Sequence, residues 1–295
     1  MTLFRLAPVA VALGLLAPSC ALAAPFGFSD PVTVSGGDVS QTAAAVGAGG
    51  GALLAATMSP TEYTQEAVHA WSCRAPGAPW TQDTLSSDLS EARDVQAAMT
   101  PDGRRVAVWA QIHSLSNRVA YAIRDHGGAL RQTGSFAVRD AYSASPRLAV
   151  LPSGIVLLAF RDISTLRVAR LSARATRFAA PRTIATGASG LAIAPAGPGA
   201  TVAWTSTPGR TGAPRTLRAL RLRDTGRATG SVLVVSHNAT ARVRLGGVSG
   251  GRAIASWLRP ARGSQPPAAF TRSLDPDGRP ARPFPTPGTP RAPAT

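Results

Sequence analysis

A repeat constrains this chain more than any other feature. Five segments share one pattern, a turn bearing glycine followed by an apolar run that ends in a large residue: Gly51–Thr57, Gly103–Trp109, Gly154–Phe160, Gly199–Trp204 and Gly251–Trp257. A shorter apolar run precedes each, at 43–46, 95–99, 148–151, 191–194 and 243–245. Each pair reads as a β-hairpin, with Gly at the turn because Gly tolerates positive φ. A third strand follows in every unit, starting at Ala67, Arg118, Leu166, Leu217 and Ala268, so the starts lie 48 to 51 residues apart. A weaker fourth strand comes next, as at 178–185.

Four short strands repeated at intervals of roughly 40–50 residues predict a β-propeller, because one unit cannot bury both faces of its sheet and must stack on its neighbours. The expected fold is therefore all-β, a single propeller of about five four-stranded blades with six as the alternative, spanning residues 24–278. Residues 28–35 resemble a fourth strand standing before the first full unit, placed to close the ring against the last one. The prolines at 280, 283, 285, 287, 290 and 293 remove ladder donors, so 279–295 reads as a disordered tail. It carries no wall-sorting signal.

Residues 1–23 read as a secretory signal peptide: Arg5, the apolar stretch 6–16, and Ala21-Leu22-Ala23 before the cut. The alternative is lipid attachment at Cys20, disfavoured by Ala17 where a lipobox wants a large apolar residue. No later segment is apolar for long enough to span a bilayer. The expected location is secreted or extracellular. Two cysteines exclude a disulfide-rich scaffold and a four-thiolate zinc site, and Cys73 reads as a small buried residue.

The segment Thr100-Pro101-Asp102-Gly103 before the strand 104–109, with the later turn 125–128, resembles the repeat of TolB- and WD40-like propellers over residues 94–137. That resemblance implies a fold and says little about function. Sialidases, also secreted propellers, resemble the chain in blade periodicity and in needing arginines to clamp a carboxylate. They also imply Asp-box turns and a Tyr activated by Glu. Here 100–103 and 273–278 match the Asp box only in part, Tyr63, Tyr121 and Tyr142 are the only tyrosines, and Glu62, Glu66 and Glu91 the only glutamates.

Other motifs dissolve into the repeat. Gly247–Gly251 fits G-x-S-x-G, but a strand and not a helix follows Ser249. Gly47, Gly49 and Ala52 fit a loose dinucleotide fingerprint without its βαβ context. No His pair or EF-hand loop is present, and Asn238-Ala239-Thr240 is a glycosylation sequon. The sequence thus singles out no catalytic, cofactor-binding or metal residue, and no cofactor.

The net charge is +16 with every basic residue an arginine. Residues 24–92 hold one arginine (Arg74) and seven acids, whereas 93–295 hold 29 arginines and eight acids. High-GC coding bias explains the absence of Lys but not the scarcity of acids. If the ring closes, some of this charge is expected to pair at the seam between 24–92 and 238–295. The expected role is a non-catalytic binding or scaffold protein of the bacterial envelope or exterior, monomeric, with a protein or an anionic envelope polymer as partner and no sequence-specific nucleic acid. The alternative is a sialidase-like or other glycan-processing enzyme. The channel discriminates: an Arg cluster with a Tyr and a carboxylate at one mouth marks the enzyme, and a lining of Ala, Val and Thr marks the scaffold.

Overall fold

The computed structural model describes residues 38–59, 66–86, 91–113, 116–124, 130–206, 215–240, 242–247, 249–260, 267–275 and 284–285. The segment 28–35, Cys20, the leader and most of the proline-rich stretch lie outside them. Among the described residues twenty strands form five antiparallel sheets of four, each a meander in chain order. The first sheet holds β1 (Asp38–Val46), β2 (Ala52–Ser59), β3 (Ala67–Cys73) and β4 (Thr81–Thr84). The second holds β5 (Glu91–Met99), β6 (Arg105–Ile112), β7 (Arg118–Arg124) and β8 (Arg131–Ala137). The third holds β9 (Arg147–Val150), β10 (Val156–Asp162), β11 (Thr165–Leu171) and β12 (Arg182–Ala185). The fourth holds β13 (Ala188–Ala196), β14 (Gly199–Ser206), β15 (Arg215–Leu222) and β16 (Ala228–Ala239). The fifth holds β17 (Val243–Gly247), β18 (Ala253–Arg259), β19 (Ala268–Leu274) and β20 (Phe284–Pro285). This is a five-bladed β-propeller.

The hairpin turns repeat one geometry. Gly103 N–H donates to Thr100 O and Gly154 N–H to Leu151 O, both at 2.9 Å, with φ of 83° and 76° at the two glycines. Only Gly adopts that φ without strain, which is why the sequence punctuates each unit there. Ser249 sits in the corresponding turn between β17 and β18, and Gly47–Gly51 in the one between β1 and β2, as hairpin turns and not as an elbow or a dinucleotide loop. In the fifth sheet the fourth strand comes from the stretch expected to be a tail: Phe284–Pro285 pairs with Thr271 and Phe270. Proline is tolerated there because an edge strand needs no second row of donors.

Four apolar cores lie between successive sheets. Leu53, Val68 and Trp109 fill the first; Val108, Tyr121, Phe160 and Phe178 the second. Leu157, Trp204 and Leu222 fill the third; Leu217, Trp257 and Leu274 the fourth. Strand β6 is buried on both faces because its sheet is sandwiched, so it reads as a continuous apolar run and not as an alternation. Each such large side chain contributes about 1.5–3 kcal/mol when withdrawn from water.

Arginine joins the blades in a way the charge count does not reveal. Arg104, buried at 4% exposure, donates from Nη1 to Ser172 O (3.0 Å) and Ala175 O (3.1 Å) and from Nη2 to Ala173 O, tying the second blade to the third. Arg170 Nε donates to Asp224 O at 2.8 Å, third blade to fourth. Arg221 donates to Gly251 O at 2.7 Å, fourth to fifth, and to Ala196 O of its own blade at 2.6 Å. Arg105 Nη2 donates to Cys73 O at 2.8 Å, second to first. Guanidiniums that pair with carbonyls need no matching acids, and the planar fork reaches two or three carbonyls where an ammonium cannot. The acidic first blade meets the second: Asp83 lies 3.6 Å from Arg124 and accepts from Leu130 N–H. Cys73 is buried, as its sequence context suggests.

Candidate active site at the channel mouth

The first strands of the blades, β1, β5, β9, β13 and β17, pack on one another in that order and line the axis. At the end where they begin, their polar residues converge. The backbone of β5 bulges between Arg93 and Gln96, and Asp94 takes a φ of 54°. The bulge turns Asp94 across the strand ends. Its N–H donates to Gln41 Oε1 of β1 at 2.5 Å, Ser145 Oγ approaches its Oδ2 at 3.4 Å, and Arg147 Nη1 of β9 lies 3.9 Å from Oδ1. Ser145 also has positive φ, 42°. Two of the three non-glycine residues with positive φ among those described therefore meet at this point. Strain of this kind costs about 1–3 kcal/mol per residue and concentrates where function requires it.

Arg161, at the end of β10, completes the cluster. Its Nε is buried with no hydrogen-bond partner. Burial lowers the Arg161 pKa from its ordinary value; Asp94 and Asp140 pull it back up, and Arg147 and Arg215 push it down. Burial likewise lowers Arg147, with Asp94 opposing and Arg244 of β17 reinforcing. Four guanidiniums from three blades thus share the field of two carboxylates. Cation exceeds anion here, and an incoming carboxylate, sulfate or phosphate would relieve it.

Beside this cluster stands a second pair. Tyr142 OH donates to Glu91 Oε2 at 3.1 Å, and Arg93 both bridges Glu91 Oε1 (2.7 Å) and lies over the Tyr142 ring, 4.6 Å from its centroid. The hydrogen bond to Glu91 and then the Glu91 charge raise the Tyr142 pKa above its usual value. Tyr142 is 55% exposed, so its oxygen is open to a substrate. The loop is fixed by Tyr142 N–H donating to Asp140 Oδ1 at 2.9 Å. The phenol is therefore held protonated, with Glu91 placed as the group that would accept its proton.

Of the residues weighed in the sequence, Tyr142 and Glu91 come together here, while Tyr121 is buried in the second core, 5.0 Å from Phe178. Tyr63 and Glu62 lie outside the described residues. Asp94, Arg147, Arg161 and Arg244 were missed. One signal existed: Gln41, Asp94 and Arg147 each lie within two residues before the first apolar run of successive repeats. No group of three or more metal-ligating side chains occurs among the described residues.

No protein-family profile and no curated protein sequence matches this chain. Solved structures match its fold. An α-L-arabinanase from Penicillium chrysogenum, solved with arabinobiose, superposes with a TM-score of 0.53 at 11% identity, over 80% of this chain and 89% of the arabinanase. The polysaccharide lyase Uly1 superposes with a TM-score of 0.50 at 12% identity, over 81% of this chain and 58% of the lyase. At such identity the likeness carries the fold alone. It supports the propeller expected from the TolB- and WD40-like repeat but redirects the finer resemblance to glycan-processing propellers. The expectation of a non-catalytic scaffold is corrected: the matched solved propellers named above are an arabinanase and a polysaccharide lyase, and the channel mouth holds an Arg–carboxylate–Tyr cluster in place of a bland lining. Among the described residues no helix is long and apolar enough to cross a membrane.

Proposed function

We propose that this chain is a secreted glycan-processing enzyme that cleaves a glycosidic bond at an acidic sugar. The observation that carries the reading is the meeting of Asp94, Arg147 and Arg161 at the channel mouth, next to the Tyr142–Glu91 pair. Arg147 and Arg161, with Arg244 behind them, bind the sugar carboxylate. Tyr142 attacks or abstracts, and Glu91 receives its proton. Asp94 supplies the second carboxylate that glycoside cleavage requires on the other side of the bond. Residues 1–23 deliver the chain to the exterior, where polymers with acidic sugars are found.

The test is release of reducing ends from an acidic polysaccharide by the wild type and by Tyr142→Phe, Asp94→Asn and Arg147→Ala. The first two should lose about 100-fold or more in kcat, the loss of a general acid or base. Arg147→Ala should chiefly raise KM. A Tyr142→Phe enzyme as fast as the wild type would overturn the assignment.

A further inference from the structure

A second basic site lies away from the mouth, at the hairpin-turn end of the first two blades. A cavity of about 400 Å³ is lined there by the Gly47–Gly51 turn, Met99 and Gly103, and by Arg74, Arg105 and Arg124. Arg105 and Arg124 face each other directly across β6 and β7. Like charges opposed on neighbouring strands repel. Both are buried, at 7% and 8% exposure, so water screens them poorly. Both turn to the same acceptor, Ser72 Oγ, at 3.2 and 3.0 Å. Asp83 is the carboxylate nearest the pair, 3.6 Å from Arg124, and its charge also reaches Arg105. The Nε of each guanidinium is buried without a hydrogen-bond partner.

The turn that faces them has room to spare. A side chain at Gly51 would strike the backbone carbonyl of Arg74, so packing demands glycine there, whereas one at Gly47 would push aside the Met99 thioether. At Gly49 a Cβ would meet nothing within 4 Å, and no positive φ requires glycine there. The missing side chain leaves an open wall on the cavity. Burial, followed by the neighbouring Arg124, lowers the Arg105 pKa, with Arg74 reinforcing and Cys73 and Asp83 opposing.

We propose that this cavity binds an oxyanion group, phosphate, sulfate or carboxylate, held by Arg105, Arg124 and Arg74 against the Gly47–Gly51 turn. The group neutralises the opposed pair and adds one anion to three guanidiniums that share a single nearby carboxylate, Asp83. Its volume admits one charged sugar or a comparable small ligand and not a polymer. The site is independent of the mouth, which lies at the opposite ends of the same strands.

The test titrates full-length protein with inorganic phosphate, sulfate and glucuronate in turn, at constant ionic strength, by calorimetry and thermal shift. Saturable binding of at least one of them is expected, and the preferred one names the ligand class. Arg74→Ala, an exposed position, should weaken binding roughly tenfold, as expected for one charge-assisted contact. Gly49→Leu, which fills the wall, should weaken it with the thermal transition of the unliganded protein unchanged. Arg244→Ala, at the mouth, should leave it unchanged. No saturable binding, or binding lost in Arg244→Ala and kept in Arg74→Ala, overturns the proposal. The glycan-cleavage reading stands or falls separately, on Tyr142 and Asp94.

Discussion

Replacing Arg104 with lysine keeps the charge and removes the fork, and so isolates what the inter-blade arginines do. In the native chain Arg104 gives three hydrogen bonds to the carbonyls of Ser172, Ala173 and Ala175, all from the second blade to a turn of the third. A lysine reaches one of these. Charge-assisted bonds contribute about 1.5–3 kcal/mol each, they are not additive, and carbonyls left without donors add to the loss. Two lost bonds at partial additivity give a destabilisation of about 3 kcal/mol. At about 2–4 °C per kcal/mol for a domain of this size, Tm falls by roughly 6–12 °C. Differential scanning calorimetry with Arg104→Lys and Arg104→Met measures it, and the methionine variant should fall further. If the lysine variant melts within about 2 °C of the wild type, arginine acts here only as charge, and the account of the inter-blade arginines is wrong.

Spectrophotometric titration should show Tyr142 ionising above its usual pKa, and Glu91→Gln should bring that pKa down, because the carboxylate that opposes the phenolate is gone. Tyr121 is raised chiefly by burial, so the stability it contributes is present below its unfolded pKa near 10 and is lost as pH rises through its folded value; Tyr121→Phe should flatten that part of the alkaline denaturation curve. Gly199→Ala drives a Cβ into the backbone carbonyl of Leu222 and should cost about 2–4 kcal/mol in urea denaturation, whereas Gly246→Ala, with nothing nearby, should stay within about 0.5 kcal/mol.

The blades were legible because two local rules agree: glycine where φ must be positive, and apolar runs between such turns. Ala67, Arg118 and Ala268, the expected starts of third strands, are the observed starts of β3, β7 and β19. The fourth strands were blurred because they are edge strands with one exposed side, and β20 hides in a proline-rich stretch where pattern argues against a strand. The site was half legible. Tyr142 and Glu91 stand out by scarcity, yet 51 residues separate them and only the stacking of β5 against the 138–146 loop joins them. Nothing in the sequence singles out Asp94. Its role depends on a bulge, and a bulge reverses which face a residue takes without leaving a mark in hydrophobic periodicity. The arginines were read as excess charge because composition cannot show a guanidinium donating to a carbonyl.

The central claim, that the mouth recognises and cleaves at a sugar carboxylate, is tested most directly with one substrate in two forms. An acidic polysaccharide and its carboxyl-reduced counterpart share every linkage and differ only in the charged group. The account predicts cleavage of the acidic form and a loss of about 100-fold or more in kcat/KM on reduction, since Arg147 and Arg161 would face an alcohol in place of a carboxylate. Equal cleavage of both forms, or cleavage of neither, would contradict it.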